Sequence, residues 1–306
     1  MRTNKTEKDS FRSRLSSGVD NIVGIFSPLK AAKRRYFRLL SQTMFNAYRG
    51  AEGGRLRGSW IPGGGSADED LLGDLAKLRE KSRDLVRNDG IAAGAVTTII
   101  TNIIGSGIKL QSKIDKEVLK IDEEYADKLR EQIEKIWNRW VPYADAGERQ
   151  DFYEMEELSE RNRFINGEAI FLPLRLSDPN RPYSLALQSI ESDRLDTPSD
   201  IKVNKDVRKG VEIGEFGQPV AYWIRKTHPG DWTYGKNASQ NISGNYIRYP
   251  AKTKDGNKNF FHLYHLLRSG QTRGEPFMAP VINLFKDRFE YMEAELVAAR
   301  VAACFA

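Results

Sequence analysis

Glu191 and Asp193 are two residues apart. On a strand that spacing puts both carboxylates on one face, as acid–base chemistry or a divalent ion would require. No histidine or third acid follows at coordinating spacing, and Arg194 is adjacent, so the pair reads as part of a structural ion pair. His262 and His265 are three apart, but His228, the third histidine, lies 34 residues upstream of His262 and completes no zinc pattern. His262 is expected to end a buried strand. Cys304 sits in an Ala-Ala-Cys-Phe run without an adjacent base and is expected to be a small buried side chain. There is no Gly-x-Ser-x-Gly. The run Gly63–Gly65 lacks a following Gly-Lys-Ser/Thr, and Gly105-x-Gly107 follows a helical rather than a strand pattern. The reading is of a non-enzyme, with no catalytic, cofactor or metal residues.

The elements that position these residues form a mainly helical first half, a β-rich middle and a long last helix, an α+β arrangement. Ala67 to Asp89 predicts one helix, with acids in its first turn and Leu71, Leu72, Leu75, Leu78, Ser82 and Leu85 on one face, broken by Asn88-Asp-Gly90. Arg79, Arg83 and Arg87 recur every four residues along it and read as a solvated or inter-subunit salt-bridging face. Ile91 to Ile104 predicts a buried helix. Asp122 to Trp140 predicts an amphipathic one with Tyr125, Leu129, Ile133, Ile136, Trp137 and Trp140 on its apolar side. Arg149 to Phe164 predicts another, with Asp151, Glu154, Glu156, Glu157 and Glu160 outward. From Glu168 the period shifts to strands, with a hairpin signal around Glu215–Gln218 and a polar loop over 228–258. Pro280 opens a helix with Ile282, Phe285, Phe289, Met292 and Leu296 on a stripe.

Net charge is +6, unevenly spread. Residues 1–60 hold 13 Lys and Arg against 4 Asp and Glu, and the remainder 35 against 38. A basic arm can bind nucleic acid by phosphate neutralisation or contact an acidic partner. Residues 1–20 are polar enough to be a disordered basic tail, and Lys30–Leu40 reads as a basic amphipathic segment. No run of about 18 apolar residues occurs, so no membrane span is expected, and the lone cysteine fits a reducing compartment.

Several motifs together resemble the phage lambda-type portal family. Arg268-x-Gly270-Gln271-x-Arg273-Gly274-x-Pro276 is followed by Ala279-Pro280 and Glu290-Tyr291-x-x-Ala294-Glu295. Upstream come Tyr48, Ala51 and Trp60; the run containing Arg79, Arg83 and Asn88; Thr101-Asn102-x-x-Gly105-x-Gly107; Asn166-Gly167-Glu168; Ile190-x-x-Asp193-Arg194-Leu195; and the hairpin beginning at Gly210.

The resemblance implies a structural ring subunit at the capsid vertex, forming the channel for DNA packaging and ejection. It implies a wing over 21–148, a first stem helix over 149–166, a β-rich region including the clip over 167–270, and a second stem helix over 271–306. The two stem helices would cross side by side, with Glu154 and Glu157 facing the channel. The partners implied are further copies in a dodecameric ring, the terminase large subunit, head-completion and connector proteins, major capsid and scaffold proteins, and double-stranded DNA passing non-specifically, with no membrane. The location implied is the virion, assembled in the host bacterial cytoplasm. The chain stops at Ala306 inside an apolar helical pattern with no capping glycine, so the expectation is a truncated product without the family's crown, its Val297–Phe305 stripe prone to association. The competing readings are a basic-arm nucleic-acid-binding protein and, on weaker grounds, a nuclease, for which no acidic cluster is found.

Overall fold

The computed structural model describes residues 63–200, 206–231 and 243–305. The chain divides at Gly64, and every described element lies in the unit Gly65–Ala306. The basic arm, the Lys30–Leu40 segment and Tyr48, Ala51 and Trp60 lie outside the described residues.

Helices α1 (Ala67–Leu72), α2 (Leu75–Asn88), α3 (Gly90–Ile104), the single turn α4 (Lys116–Leu119), α5 (Glu123–Trp140) and α6 (Phe152–Asn166) lead into the strands. These are β1 (Glu168–Arg175), β2 (Leu185–Ile190), β3 (Val207–Arg208), β4 (Val211–Ile213), β5 (Pro219–Arg225), β6 (Tyr246–Pro250) and β7 (Phe261–Tyr264), followed by α7 (Ile282–Phe305). The strands form two antiparallel sheets, ordered β2-β1-β7 and β3-β4-β5-β6. Mixed helix and sheet is thus the observed class.

Local chemistry explains most boundaries. Asp89 ends α2 and caps α3, its Oδ1 accepting from the Ile91 and Ala92 N–H groups at 2.9 Å each. Asp122 caps α5 through the Tyr125 N–H at 2.7 Å. Asp151 and Glu154 form a reciprocal capping box at the start of α6. Gly105 ends α3 and Gly107 turns the chain after it, as expected of a helix stop.

The three-stranded sheet separates two cores. Ile170 and Leu172 of β1 pack with Leu195, Val211, Tyr222, Ile224 and Phe260 against the second sheet. Ala169 and Phe171, on the opposite face, pack with Trp140, Ala144 and Met155 beneath the helices. A third core joins Ala92, Val96 and Ile100 of α3 to Phe164, Met278 and Ile282.

Five expectations are corrected. Ala67–Asp89 is two helices, because Gly73 and Asp74 interrupt it. The polar loop over 228–258 contains β6, whose Tyr246 is buried and whose ladder extends β5; residues 232–242 lie outside the described residues. The Ile91–Ile104 helix is buried on one face only, with Ile91, Ile99 and Ile103 exposed, and the apolar side of α5 leaves Tyr125 and Ile136 in solvent. Cys304 is exposed, because α7 packs only through its first turns, at Ile282 and Phe285.

Where the helical and sheet layers meet, two glycines touch. Gly167 ends α6 at φ 87°, and a Cβ there would lie 2.4 Å from Gly274 O. A Cβ on Gly274 would lie 2.0 Å from Gly167 O. Gly274→Ala is expected to lower stability by more than about 3 kcal/mol, since backbone must move to admit the methyl. Gly73→Ala is the contrasting case, for its backbone is right-handed helical and a Cβ there meets nothing within 4 Å; it should add up to about 1 kcal/mol. Urea unfolding midpoints of the two variants check both signs.

Candidate functional site

The family-motif residues converge on one buried carboxylate. Glu168 opens β1 with a side chain that has no exposed surface. Arg273 lies against it: Nε donates to Glu168 Oε1 and Oε2 at 3.1 and 3.0 Å, and Nη2 to Oε1 at 2.5 Å. The other Arg273 donors reach backbone carbonyls, Nη2 to Ser192 at 3.0 Å and Nη1 to Leu195 at 2.7 Å and to Lys209. The guanidinium is therefore fully hydrogen-bonded, which a planar five-donor group can achieve in a fixed cage. The Gly274 N–H donates to Glu168 Oε2 at 3.0 Å, and His262 Nε2 lies 2.9 Å from the same oxygen.

Arg79 reaches the site from α2, its Nη2 2.9 Å from Glu168 Oε1 and its Nε donating to Asn166 O at 2.8 Å. One turn later, Arg83 donates from Nε to Asn166 Oδ1 at 2.6 Å and from Nη1 to Asp193 Oδ2. The two arginines thus place positive charge on the C-terminus of α6, where unpaired carbonyls concentrate negative potential. The expectation of a solvated arginine row is corrected at Arg79, which is 3% exposed.

Charge states follow from these contacts. Burial opposes ionisation of Glu168, but Arg273, Arg79 and His262 together hold its carboxyl well below the usual carboxylate range. Burial lowers Arg79 to about 10, against the pull of Glu168, leaving it charged at neutral pH. Burial also lowers His262, more than Glu168 offsets, so the ring is a neutral donor to the carboxylate. Asp193, despite burial, is lowered by Arg83 and Arg79.

The structure gathers Arg83, Gly167, Asp193, Gln271, Arg273, Gly274 and Pro276 around this point. Gln271 Oε1 accepts from Leu267 N–H at 2.9 Å while its Nε2 donates to Arg273 O at 2.8 Å, holding the segment in a tight bend. Pro276 is fully buried, and Phe277 N–H donates to Phe164 O at 3.0 Å. Arg194 and Gly210 flank the site: Arg194 donates to the carbonyls of Arg225 and Lys226 at 2.8 and 3.0 Å, and Gly210 N–H donates to Thr197 Oγ1 at 2.8 Å. Asn88, Asn102, Gly105 and Gly107 stand apart from it. Asn88 donates to Asp84 and Asn102 to Thr98 O, each at 2.7 Å, within their own helices.

Glu191 and Asp193 are not on a strand; Asp193 lies in a 3-10 turn, Ser192–Arg194, and Glu191 just before it. Asp193 pairs with Arg83 rather than its neighbour Arg194, and His228 joins both acids, at 3.5 Å from Glu191 and 3.2 Å from Asp193. His262 does not end its strand but is its second residue.

Sequence reasoning placed Glu168 and Arg79 within family motifs but did not bring them together at one site. The available signal was a single acid opening an otherwise apolar strand, a charge that a two-sided core must neutralise. Ser192 and Asp68 carried no such signal. Ser192 Oγ donates to Glu168 O at 3.1 Å, and Asp68 Oδ1 accepts from Thr272 N–H at 2.8 Å and from Thr272 Oγ1 at 3.0 Å.

The acids of α6 are largely occupied. Glu154 serves the capping box, Glu156 Oε2 accepts from Ile108 N–H at 2.8 Å, and Glu157 and Glu160 pair with Arg161 and Arg163 at 3.1 and 2.6 Å. Among the described residues, no group of three His, Cys, Asp or Glu stands close enough to hold a metal ion.

A buried centre of this kind joins the helical layer, the sheet and the segment before α7, with Arg79 Nη2 held by charge alone and making no hydrogen bond. The sequence model for phage portal proteins of the lambda family matches residues 53–306. The chain belongs to the lambda family of phage portal proteins. The probable portal protein of Halomonas phage phiHAP-1 is 32% identical over 85% of the chain and 48% of its own length. The portal protein of Escherichia phage N15 is 27% identical over 84% of the chain and 47% of its own. Portal protein B of Escherichia phage lambda is 25% identical over 83% and 46%. The chain spans about half the length of these portal relatives.

Removing one partner of this centre leaves uncompensated buried charge, so Arg273→Met or Glu168→Gln should cost about 3–5 kcal/mol in urea unfolding. Acid should act in two stages. Unfolded, this histidine takes up its proton near pH 6.5, above the lowered folded value of His262, so stability falls as pH drops below about 6.5. The Glu168 contribution is complete above about 4.5 and is lost as pH falls further, towards its depressed folded value. His262→Gln should flatten the first stage and leave the second, read from unfolding midpoints between pH 8 and 4.

Proposed function

We propose that this chain forms the portal part of a ring subunit at the phage capsid vertex, through which DNA is packaged and ejected. The family match over residues 53–306 is the observation that carries the reading. The Glu168–Arg273 centre supports it, since motif residues from the helical half, the sheet and the segment before α7 lock one another there. The partners we propose are further copies in a dodecameric ring, terminase large subunit, head-completion and connector proteins, and major capsid and scaffold proteins. DNA would pass without sequence recognition. The location proposed is the virion, after assembly in the bacterial cytoplasm. No described helix is long and apolar enough to cross a membrane.

Within that reading, the packing favours a revised division of parts. Helix α6 buries Met155 and Phe164 and is covered by α2, α3 and β1, so it belongs with the wing. It meets α7 at the Phe164, Met278 and Ile282 cluster rather than along its length. Helix α7 is the better stem, because Phe289 to Phe305 is exposed throughout, about 25 Å of helix. Its Phe289, Tyr291, Met292, Leu296 and Val301 point to several sides, as suits a helix flanked by two neighbours. The compensated acids of α6 weaken the case for Glu154 and Glu157 as a bare negative channel wall.

Light scattering and negative-stain imaging of the purified chain, with and without residues 1–60, test the reading. Rings with a central hole that persist without the arm are the expected outcome. Salt-sensitive DNA binding that vanishes with the arm, and no ring from either form, would sink it in favour of the basic-arm reading.

A further inference from the structure

One end of the four-stranded sheet presents an aromatic side chain that the described chain leaves uncovered. Phe216 is 88% exposed at the tip of the turn between β4 and β5. The tip is held firmly. Gly214 N–H donates to Gln218 O at 2.8 Å, Gly217 N–H to Gly214 O at 3.0 Å, and Phe216 N–H to Gln218 Oε1 at 2.9 Å. A preorganised exposed aromatic can bind without a large ordering cost.

Beside it stands a second turn. β5 and β6 run antiparallel with Ala221 opposite Pro250, and Ala251 N–H donates to Val220 O at 2.9 Å, so β6 ends where β5 begins. The following turn closes through Thr253 N–H on Asn257 O at 2.8 Å. It carries Lys252, Lys254 and Lys258, all exposed and none in an ion pair with a described residue.

Across the three-stranded sheet, on the Phe171 face, a cleft of about 810 Å³ opens between α5, α6 and β7. Trp137, Phe152, Phe171 and Leu263 wall it, and Glu156 and Glu160 lie among its polar groups. Glu160 has Arg163, whereas Glu156 has only the Ile108 N–H, and burial pushes its carboxyl up.

We propose that Phe216 of one copy seats in this cleft of a second copy, with the lysine turn set against Glu156. The inference rests on the ring reading above and names one contact within it. Apolar walls match the phenyl ring, and unpaired lysines match an acid without a cation. Phe216 is not among the residues lining its own copy's cleft, so the contact is head-to-tail and leaves the pair one free finger and one free cleft. Such a heterologous contact propagates and closes into a ring when its rotation allows. Duplex DNA would engage the lysines but offers no unstacked base to Phe216.

Directed disulfide formation tests this, in full chains carrying Cys304→Ser. Copies with Phe216→Cys mixed with copies carrying Ser159→Cys, a cleft residue, should cross-link to each other, and neither should cross-link alone. Lys128→Cys, on an exposed face of α5, gives the background rate. Lys254→Glu on the finger copy, or Glu156→Lys on the cleft copy, should each slow cross-linking about tenfold, and the two together should restore it. Cross-linking of the mixture no faster than background overturns the proposal. Rings without that cross-link would overturn the contact and leave the ring reading standing, whereas the cross-link without rings would do the reverse. If the charge reversals leave cross-linking unchanged while abolishing retention of a DNA duplex, the lysines serve phosphate, and the charge half of the proposal is overturned.

Discussion

The ionised carboxylate of Glu168, removed from water at the start of a strand buried on both faces, is the constraint on which the rest of this fold depends. An isolated charge there would be prohibitively costly, so the surrounding elements supply compensation from three directions. Arg79 comes from α2, His262 from β7 and Arg273 from the segment leading to α7. Each belongs to a different part of the chain, so neutralising one side chain fixes the helical layer, the sheet and the departure of the last helix together.

That electrostatic demand explains geometry that would otherwise look accidental. Arg273 can reach Glu168 only if its backbone passes directly over the end of α6, and there Gly167 and Gly274 meet with no room for a Cβ on either. Arg79 and Arg83, one helical turn apart, reach the same helix end and satisfy Asn166 through its carbonyl and its amide. Asp68 repeats the logic at the edge of the site, receiving Thr272 and pairing with Arg208 at 3.0 Å. At the centre all five guanidinium donors of Arg273 are used, so its buried charge is matched by a connected polar network.

Outside this centre the molecule leaves apolar surface uncovered: the outer face of α3, one side of α5, α7 beyond Phe285, and the Phe216 tip. Scattered exposed hydrophobics are ordinary, but several faces of helical or strand periodicity in one unit are characteristic of a chain that completes its packing with other surfaces. A subunit of a larger assembly has that character.

Much of the architecture was legible in sequence. The helix boundaries at Asp89 and Asp122, the hairpin between β4 and β5 and the grouping of helices before strands follow from capping chemistry and hydrophobic period, which act over a few residues, whereas the turn at Gly167 was marked by the family motif. The motif around Gln271–Pro276 identified the family, but nothing local in it revealed that Arg273 faces Glu168, 105 residues earlier. Helical period placed Arg79, Arg83 and Arg87 on one side yet could not say which of them is buried, because that depends on what packs there. Polar composition concealed β6, whose register is supplied by β5. Local sequence therefore determined which elements form and where they end. Tertiary structure alone decided which charges share a low-dielectric interior, because the energy of a buried charge is set by partners that the chain brings together only on folding.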